Sequence, residues 1–370
     1  MIEVGSRSVM EKLELKVDRM IELIGDKSPH VAKEDGKYDN LSTDWWTSGF
    51  WPGLLWIMHD MTGKDHYKEA AFRWDEDIEQ WLSRPAHDLH HDVGFQFLAT
   101  AVIKHSITGD EDGRRRGLQA ANFLAGRFNA AGGFIRAWNH NPGWAIIDCM
   151  MNISLLFWAS NETGDPRYKH IAVKHANTSL EQFIRPDGSV NHIVSFDPET
   201  GEAIESIGGQ GFGVGSAWSR GAAWAIYGFA NTYKYTKDVH YLDAAKRVSH
   251  FFLASLADDH VPHWDFRVDE PAADEPRDTS AAAIAASGLL EIALHVPPAE
   301  SRFYKRKAEQ MLQSLTDNYS ALDNLEHEAI LLGGTGNKPG GQNINVSLIY
   351  GDYYYVEAYA KLAGWQRNIF

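Results

Sequence analysis

The sequence TGDPRY at residues 163–168 ends one helix pattern and begins the next, and versions of it recur along the chain. Glycine stops the first helix and aspartate begins the second, because glycine suits left-handed helix ends and aspartate caps helix starts. The related stretches are MTGKDHY at 61–67, TGD at 108–110 and YTKDVHY at 235–241. A turn that recurs in this way indicates a chain built from repeated helical hairpins.

Apolar residues at helical spacing extend these hairpins to about twelve helical segments. The predicted segments lie near 8–25, 46–62, 65–83, 92–108, 112–128, 144–163, 166–184, 216–236, 239–257, 278–296, 299–317 and 346–364. Strand patterns are few and short, such as the one at 190–196.

The connections alternate between these short turns and long loops rich in Gly, Pro, Asn, His and Trp. Antiparallel hairpins place all the short turns at one end and all the long loops at the other. The pattern predicts an all-α protein, a single domain over residues 1–370 that forms one (α/α)6 barrel, or six-hairpin toroid. Its cleft would lie at the long-loop end, and an open helical solenoid is the alternative.

The composition excludes several classes of partner. The formal net charge is −15, so no basic field would attract nucleic acid or an anionic membrane. The N-terminus lacks the pattern of a secretory signal, and no apolar stretch reaches the roughly 20 residues that span a bilayer. Cys149 is the single cysteine, so no internal disulfide can form. We therefore expect a cytoplasmic protein. We also expect a monomer or a homodimer, a choice that the sequence itself does not make.

Aromatic residues are abundant, with 13 Trp, 14 Tyr and 17 Phe. Most of them suit a large core, but several tryptophans lie beside polar residues in loop sequence. Examples are DWW at 44–46, RAWN at 136–139 and HWD at 263–265. Aromatic faces beside polar groups suit sugar rings, which have an apolar face and a polar rim.

Asp148 is the first candidate for chemistry, within the stretch WAIIDCMMN at 144–152. An apolar setting disfavours the charged carboxylate and raises its pKa, as a general acid requires. Asn152, four residues later, would share its helix face. The alternative is an aspartate that only offsets a helix dipole.

The stretch HDLHHDVGF at 87–95 is the second candidate. Two histidines beside an aspartate could hold a metal, but the spacing matches no common metal motif. A catalytic or substrate-binding Asp92 at a helix start is the preferred interpretation, and helix capping is the alternative.

Arg220, within SAWSRGAAW at 216–224, is the third candidate. It could hold a carboxylate in a forked pair, and Trp224 would share its face. A structural salt bridge is the alternative. Upstream, the glycines at 208–213 follow no buried strand, so a dinucleotide-binding loop is not expected.

With these clusters in view, the chain resembles the unsaturated glucuronyl hydrolases of glycoside hydrolase family 88 from Pro29 to Ala363. The motifs that carry the resemblance are TDWW at 43–46, HHDVGF at 90–95, IIDC at 146–149, WSRGAAWAIYGF at 218–229, RDTSA at 277–281 and GDYYY at 351–355. The family has an (α/α)6 barrel and removes 4,5-unsaturated uronic acid from the non-reducing end of lyase-generated oligosaccharides.

The resemblance implies hydration of a vinyl ether without a metal or an organic cofactor. Asp148 would protonate C4 and then guide water to C5, and Asp92 would be the second essential carboxylate. The implied substrate-binding residues, with Trp46 stacked on the unsaturated ring and Trp138 at the next sugar, are Trp46, His91, Trp138, His192, Gln210, Arg220 and Trp224. Lys338 is the one cation in the segment 337–343, which sets sulfate preference in some members of the family.

Three other functions remain open on the sequence. An unsaturated rhamnogalacturonyl hydrolase would share the barrel and the chemistry but take a different aglycone. An α/α-barrel sugar epimerase would need histidine bases that face each other across the cleft. A non-catalytic sugar-binding protein would keep the aromatic residues without needing an aspartate in apolar company.

Overall fold

The structure is a computed structural model that describes residues 2–84, 87–268, 274–367 and 369–370. In these ranges the chain forms twelve helical segments, three of which are interrupted. The α-helices are α1 (Ile2–Ile24), α2 (Phe50–Thr62), α3 (Asp65–Ala71), α4 (Trp74–Glu79), α5 (Val93–Phe97), α6 (Ile103–Thr108), α7 (Glu111–Ala125), α8 (Cys149–Asn152), α9 (Ser154–Thr163), α10 (Pro166–Gln182), α11 (Ser219–Thr236), α12 (Val239–Ala254), α13 (Thr279–Ala293), α14 (Pro298–Asn318) and α15 (Ile349–Leu362). A 3₁₀ turn (Gln80–Ser83) follows α4, and a π-helix (Leu98–Val102) joins α5 to α6.

Short strands occur only in the long loops of the described chain. They are β1 (Val31–Ala32), β2 (Phe128–Asn129), β3 (Phe134–Ile135), β4 (Trp144–Ile146), β5 (Ile193–Phe196), β6 (Ala203–Ile207) and β7 (Ser347–Leu348). All pairs are antiparallel, and they form the sheets β1–β7, β2–β3 and β4–β5–β6. These sheets brace the loop end of the molecule.

Six inner segments form a closed ring, and this confirms the predicted (α/α)6 barrel over an open solenoid. The order of packing is α2, α5–α6, α8–α9, α11, α13 and α15, and α15 packs back onto α2. Helix α13 is buried along its whole length, as an inner helix must be. The outer helices bury one face, such as Tyr304, Ala308, Met311 and Leu315 of α14. The ring runs from α2 to α15, and the single domain over residues 1–370 stays a prediction.

The short turns repeat one geometry. Thr163 Oγ1 donates to the carbonyl of Ala159 at 2.7 Å and accepts from the Asp165 amide at 3.2 Å. Gly164 lies between them with φ of 70°. The turn at 236–238 places Lys237 at the same left-handed position, with φ of 60°. The recurring TGD signature therefore encodes one local structure, as the sequence predicted.

Two inner segments begin at least four residues later than predicted. The segment predicted at 46–62 begins at Phe50, because Gln96 Nε2 donates to the Trp45 carbonyl and to Ser48 Oγ, at 3.1 Å each, and holds a turn there. The segment predicted at 144–163 begins at Cys149, because residues 144–146 pair with β5 instead. Helical periodicity continued across both sites, so pattern alone could not locate these starts.

Among the described residues no helix is both long and apolar enough to cross a bilayer.

Replacing Asp165 tests the turn. Its side chain caps α10 by accepting from the Arg167 amide at 2.9 Å, so Asp165→Ala should lower the free energy of unfolding by about 1 kcal/mol. Denaturant unfolding measures the loss. Asp165→Asn keeps a capping oxygen and should lose clearly less, and equal losses in the two variants would contradict the capping role.

Candidate active site

A cleft of about 350 Å³ opens at the long-loop end of the barrel. Each of the six inner segments begins here, directly after a long loop. The polar residues at these helix starts therefore face one space. Seven of the nine residues predicted for the site line this cleft, namely Trp46, Asp92, Trp138, Asp148, His192, Gln210 and Arg220.

Asp92 and Asp148 stand at the starts of two neighbouring inner helices. Asp92 immediately precedes α5, and Asp148 immediately precedes α8. Neither side chain accepts a hydrogen bond from its own helix, although the first turns of both helices are described. Helix capping therefore does not account for either carboxylate.

Asp92 is held as an anion by its neighbours. Oδ1 accepts from Asn152 Nδ2 at 2.9 Å and lies 3.0 Å from His91 Nε2, and Oδ2 lies 3.5 Å from His90 Nδ1. The approach of His91 Nε2 is off the line of a hydrogen bond, so the two atoms lie close together without being hydrogen-bonded. Burial acts to raise the pKa of Asp92, but His91, His90 and the Asn152 bond together outweigh it and lower the pKa.

Asp148 has the opposite electrostatic environment. Burial, and then the charge of Asp92, raise the pKa of Asp148 to about 7. Its Oδ1 atom is buried and has no hydrogen-bond partner among the described residues, while 16 % of the side chain remains exposed in the cleft. A carboxyl group that keeps its proton near neutral pH and faces a cleft is suited to general acid catalysis.

His192 faces Asp148 as a neutral donor. Its Nδ1 accepts the backbone N–H of Gln210 at 2.9 Å, which leaves the ring hydrogen on Nε2, 3.7 Å from Asp148 Oδ1. Burial and the charge of Arg220 lower the pKa of His192 to about 3. Gly209 permits this contact, because its φ is 59° and a Cβ there would lie 2.1 Å from His192 Nδ1.

Arg220 carries the only positive charge of a Lys or Arg among the described residues that line the cleft. Its guanidinium donates to Asp278 Oδ2 at 2.5 Å and to the carbonyls of Thr335 and Gly336 at 2.7 and 2.6 Å. It also donates to Gln210 Oε1 at 2.7 Å, so the Gln210 amide nitrogen is turned away from it. Four of the five N–H groups are thus in use, and the buried salt bridge considered above is present. Arg220 is a fixed charge in the wall and not a free fork.

Trp46 and Trp138 present aromatic surface on two sides of the cleft. Both are half-buried, as a sugar-stacking ring must be. Trp46 packs on Tyr350 with ring centroids 5.0 Å apart, and Trp138 lies 6.3 Å from His140 in a stacked arrangement. Both residues line the cleft, and their contact with sugar rings stays a prediction.

His91 and Trp224 do not lie where the resemblance placed them. Both side chains are fully buried and neither lines the cleft. Trp224 packs between Phe95 and Tyr354, with centroids 5.0 and 5.4 Å away, and His91 Nδ1 bonds the Ala137 carbonyl at 3.0 Å. Direct substrate contact by either residue is therefore wrong for this structure, and both support the cleft from behind.

Several cleft residues were not predicted. His30 comes from the first long loop, and Tyr350 from the start of α15. Asn337, Gln342 and Asn343 come from the last long loop. GDYYY at 351–355 directly follows Tyr350 and was a signal for it, but no sequence pattern distinguished His30.

His90, His91 and Asp92 are the one group of three potential metal ligands found in the described part of the chain, within 4.8 Å of one another. The two imidazoles stack, with centroids 4.9 Å apart and planes 23° apart. A metal ion bound by both rings would have to lie close to both ring planes, and stacked planes that are nearly parallel do not meet near the rings. The group is better suited to supporting the Asp92 carboxylate.

Known proteins are similar to this chain in sequence and in fold. Residues 17–370 match Glycosyl Hydrolase Family 88. The unsaturated glucuronyl hydrolase of Bacillus sp. (strain GL1) is 40% identical over 354 residues, 93% of each chain. The crystal structure of that Bacillus sp. GL1 hydrolase superposes with a TM-score of 0.91 at 38% identity, covering 95% of both chains. An unsaturated chondroitin disaccharide hydrolase of Streptococcus pneumoniae (strain ATCC BAA-255 / R6) is 36% identical over 96% of this chain and 91% of its own.

A helical barrel with two aspartates and two half-buried tryptophans in one cleft, together with these relatives, defines the chain as a glycoside hydrolase. The chain belongs to Glycosyl Hydrolase Family 88, as its motifs indicated.

The environments of the two carboxylates can be tested directly. Carbon-13 NMR of labelled aspartate should show Asp148 titrating at about 7 and Asp92 below its ordinary value. Asp92→Asn should lower the pKa of Asp148, because it removes a neighbouring negative charge. An Asp148 that titrates near 4 in the unsubstituted protein would contradict the described site.

Proposed function

We propose that this chain removes 4,5-unsaturated glucuronic acid from the non-reducing end of oligosaccharides left by polysaccharide lyases, by adding water to the vinyl ether. The observation that carries the proposal is Asp148, a cleft carboxyl with a pKa of about 7 and an unpartnered oxygen. Protonation of a carbon needs an acid that still holds its proton at working pH. The family membership and the relatives' activities support the same reaction.

The first step transfers the Asp148 proton to C4. The resulting positive charge at C5 is shared with the ring oxygen, and the ionised Asp92 stabilises it electrostatically. Water then adds at C5 and returns a proton to the Asp148 carboxylate, which restores the acid. The hemiketal at C5 opens when the bond from C5 to the ring oxygen breaks, which leaves a ketone at C5 and an open-chain hemiacetal at C1. This hemiacetal collapses to an aldehyde and releases the aglycone as an alcohol.

The cleft suits an anionic sugar although the whole protein is acidic. Arg220 supplies a fixed positive charge in the cleft wall. A charge within the screening length of roughly 8 Å acts on a bound anion even though the net charge of the protein is negative. Gln210 and His192 each keep a donor free of the partners described above. Trp46 offers a face for the flattened unsaturated ring, and Trp138 offers one for the next sugar.

The epimerase alternative is not favoured by three of the cleft histidines, His30, His90 and His192. Burial first of all lowers the pKa of His30 to about 4 and the pKa values of His90 and His192 to about 3. Imidazoles with such values are weak bases at neutral pH, and proton abstraction from a sugar carbon requires a stronger one.

A cytoplasmic location and a monomeric or homodimeric state stay predictions.

Incubation with an unsaturated glucuronyl disaccharide tests the reaction. Loss of the ultraviolet absorbance of the C4=C5 double bond, with release of the aglycone sugar, is the expected result. Asp148→Asn should reduce turnover by at least about a thousandfold, because the residue acts as both acid and base. Unchanged absorbance with intact disaccharide would overturn the proposed function, and an active Asp148→Asn enzyme would overturn the role of this residue.

The last long loop sets the expectation for the aglycone. Lys338, the one cation of the segment 337–343, pairs with Glu275 and lies over the Trp264 ring at 5.1 Å. The residues of this segment that line the cleft are neutral amides, Asn337, Gln342 and Asn343. A sulfate on the aglycone would therefore find no free cation in this segment.

We accordingly expect unsulfated disaccharides to be turned over with higher kcat/KM than their sulfated counterparts. Glu275→Gln releases Lys338 from its ion pair and should raise relative kcat/KM for the sulfated substrate by about tenfold, the effect of one charge contact. Paired assays on chondroitin-, hyaluronan-, heparin- and gellan-derived products measure it. A sulfated substrate preferred by the unsubstituted enzyme would contradict the expectation.

A further inference from the structure

Asn152 lies between the two carboxylates and contacts the segments that carry both. It is the last residue of α8 and is fully buried. Nδ2 donates to Asp92 Oδ1 at 2.9 Å and to the backbone carbonyl of Asp148 at 3.3 Å. Oδ1 accepts the backbone N–H of Phe95 at 2.7 Å. One amide thus ties the start of α5 to the start of α8.

The orientation of this amide is fixed. The Phe95 N–H can only donate, so the Asn152 oxygen must face it and the NH2 group must face Asp92. Gly94 allows the approach, since a Cβ at that position would lie 2.5 Å from Asn152 Oδ1. If the amide flipped, its NH2 group would face the Phe95 N–H and its oxygen would face the Asp92 carboxylate. Both hydrogen bonds would then be lost in a buried place, so the flip is unfavourable.

A fixed donor distinguishes the two forms of Asp92. The ionised carboxylate of Asp92 accepts a strong hydrogen bond from Asn152 Nδ2. The protonated carboxylic acid is a weaker acceptor, and its own O–H would face the donors that surround it. We propose that Asn152 is a positioning residue of the reaction: its locked amide holds Asp92 ionised and oriented toward the cleft, so that the proton of the pair resides on Asp148. This inference rests on the proposed function and adds a residue that acts through Asp92.

Other charged or titratable groups also act on the pair. Those that face Asp92 are His90 and His91 from its own loop, Arg127 after α7, Asp148 and Cys149 at the start of α8, and Tyr354 of α15. Those that face Asp148 are Asp92, His91, Cys149, His192, Arg220 and Tyr350. Asn152 differs from all of them because it is neutral at every pH, so its contribution persists while the others titrate.

A purely structural link between α5 and α8 is the rival explanation. It predicts that losing the amide lowers thermal stability and leaves the titration of Asp92 unchanged. The positioning role predicts a change in the titration itself, and a pH profile separates the two.

The test is Asn152→Leu, which keeps the volume and removes the donor. A hydrogen bond to a charged group is equivalent to about one to two pKa units, so losing it should raise the pKa of Asp92 by that amount. The acidic limb of the pH profile of kcat/KM on the unsaturated disaccharide should move to higher pH by the same amount. We expect kcat at the optimum to fall by about tenfold to a hundredfold, with little change in KM. Carbon-13 NMR of the ligand-free enzyme should show the same upward shift for the Asp92 carboxyl.

Asn231→Leu is the matched control. Asn231 is also a fully buried inner-helix asparagine, but it lies in the distal part of α11, where its Oδ1 accepts from Lys234 Nζ at 3.1 Å. It should leave the pH profile and the Asp92 titration unchanged. If Asn152→Leu does not fold, Asn152→Ser keeps a hydroxyl too short to reach Asp92 and should shift the limb in the same direction.

The outcomes are distinct. An unshifted Asp92 titration in a folded Asn152 variant, with or without lower thermal stability, would overturn the positioning role, as would an equal shift in Asn231→Leu. If no unsaturated glycoside is turned over by the unsubstituted enzyme, the proposed function fails, yet the NMR titration still decides whether Asn152 holds Asp92 ionised.

Discussion

The packing of α15 against α2 closes the ring of inner helices, and the rest of the molecule depends on that closure. An inner helix in a closed ring has no solvent face, so a charged or polar group in its middle costs free energy unless it is paired. Helix α13, buried over all its residues, illustrates the constraint. Chemistry is thereby confined to the helix ends, and the short turns at one end leave only the long-loop end for a cleft.

Burial also separates the two carboxylates chemically. Both lie at the starts of neighbouring helices, and both lose solvent there. Asp92 gains an amide and two imidazoles in exchange, whereas Asp148 gains mainly the nearby negative charge of Asp92. One therefore stays ionised and the other keeps its proton, so a single local arrangement supplies an anion and an acid at the same pH.

Local signals in the sequence predicted much of this structure, and contacts between distant residues account for what it missed. The TGD turns and helical periodicity were sufficient for twelve segments and their alternation, and apolar neighbours marked Asp148. The family resemblance placed Trp224 in the cleft. Helical periodicity indicates a face but not a depth, so it could not show that Trp224 lies behind the cleft. The Arg220–Asp278 pair, the cleft position of His30 and the late start of α8 depend on tertiary packing, which no single stretch encodes. The roles proposed for Gln210 and His192 came from family resemblance.

The seam between α15 and α2 passes through the cleft. Trp46 and Tyr350 meet there, from opposite ends of the chain, and Arg220 bonds the carbonyls of Thr335 and Gly336 shortly before the last helix. During synthesis the earlier hairpins can pack as they emerge, but these contacts must wait for the final segment. The nascent chain therefore carries both aspartates long before it has a binding site, and catalytic competence arises in one late step when the ring shuts.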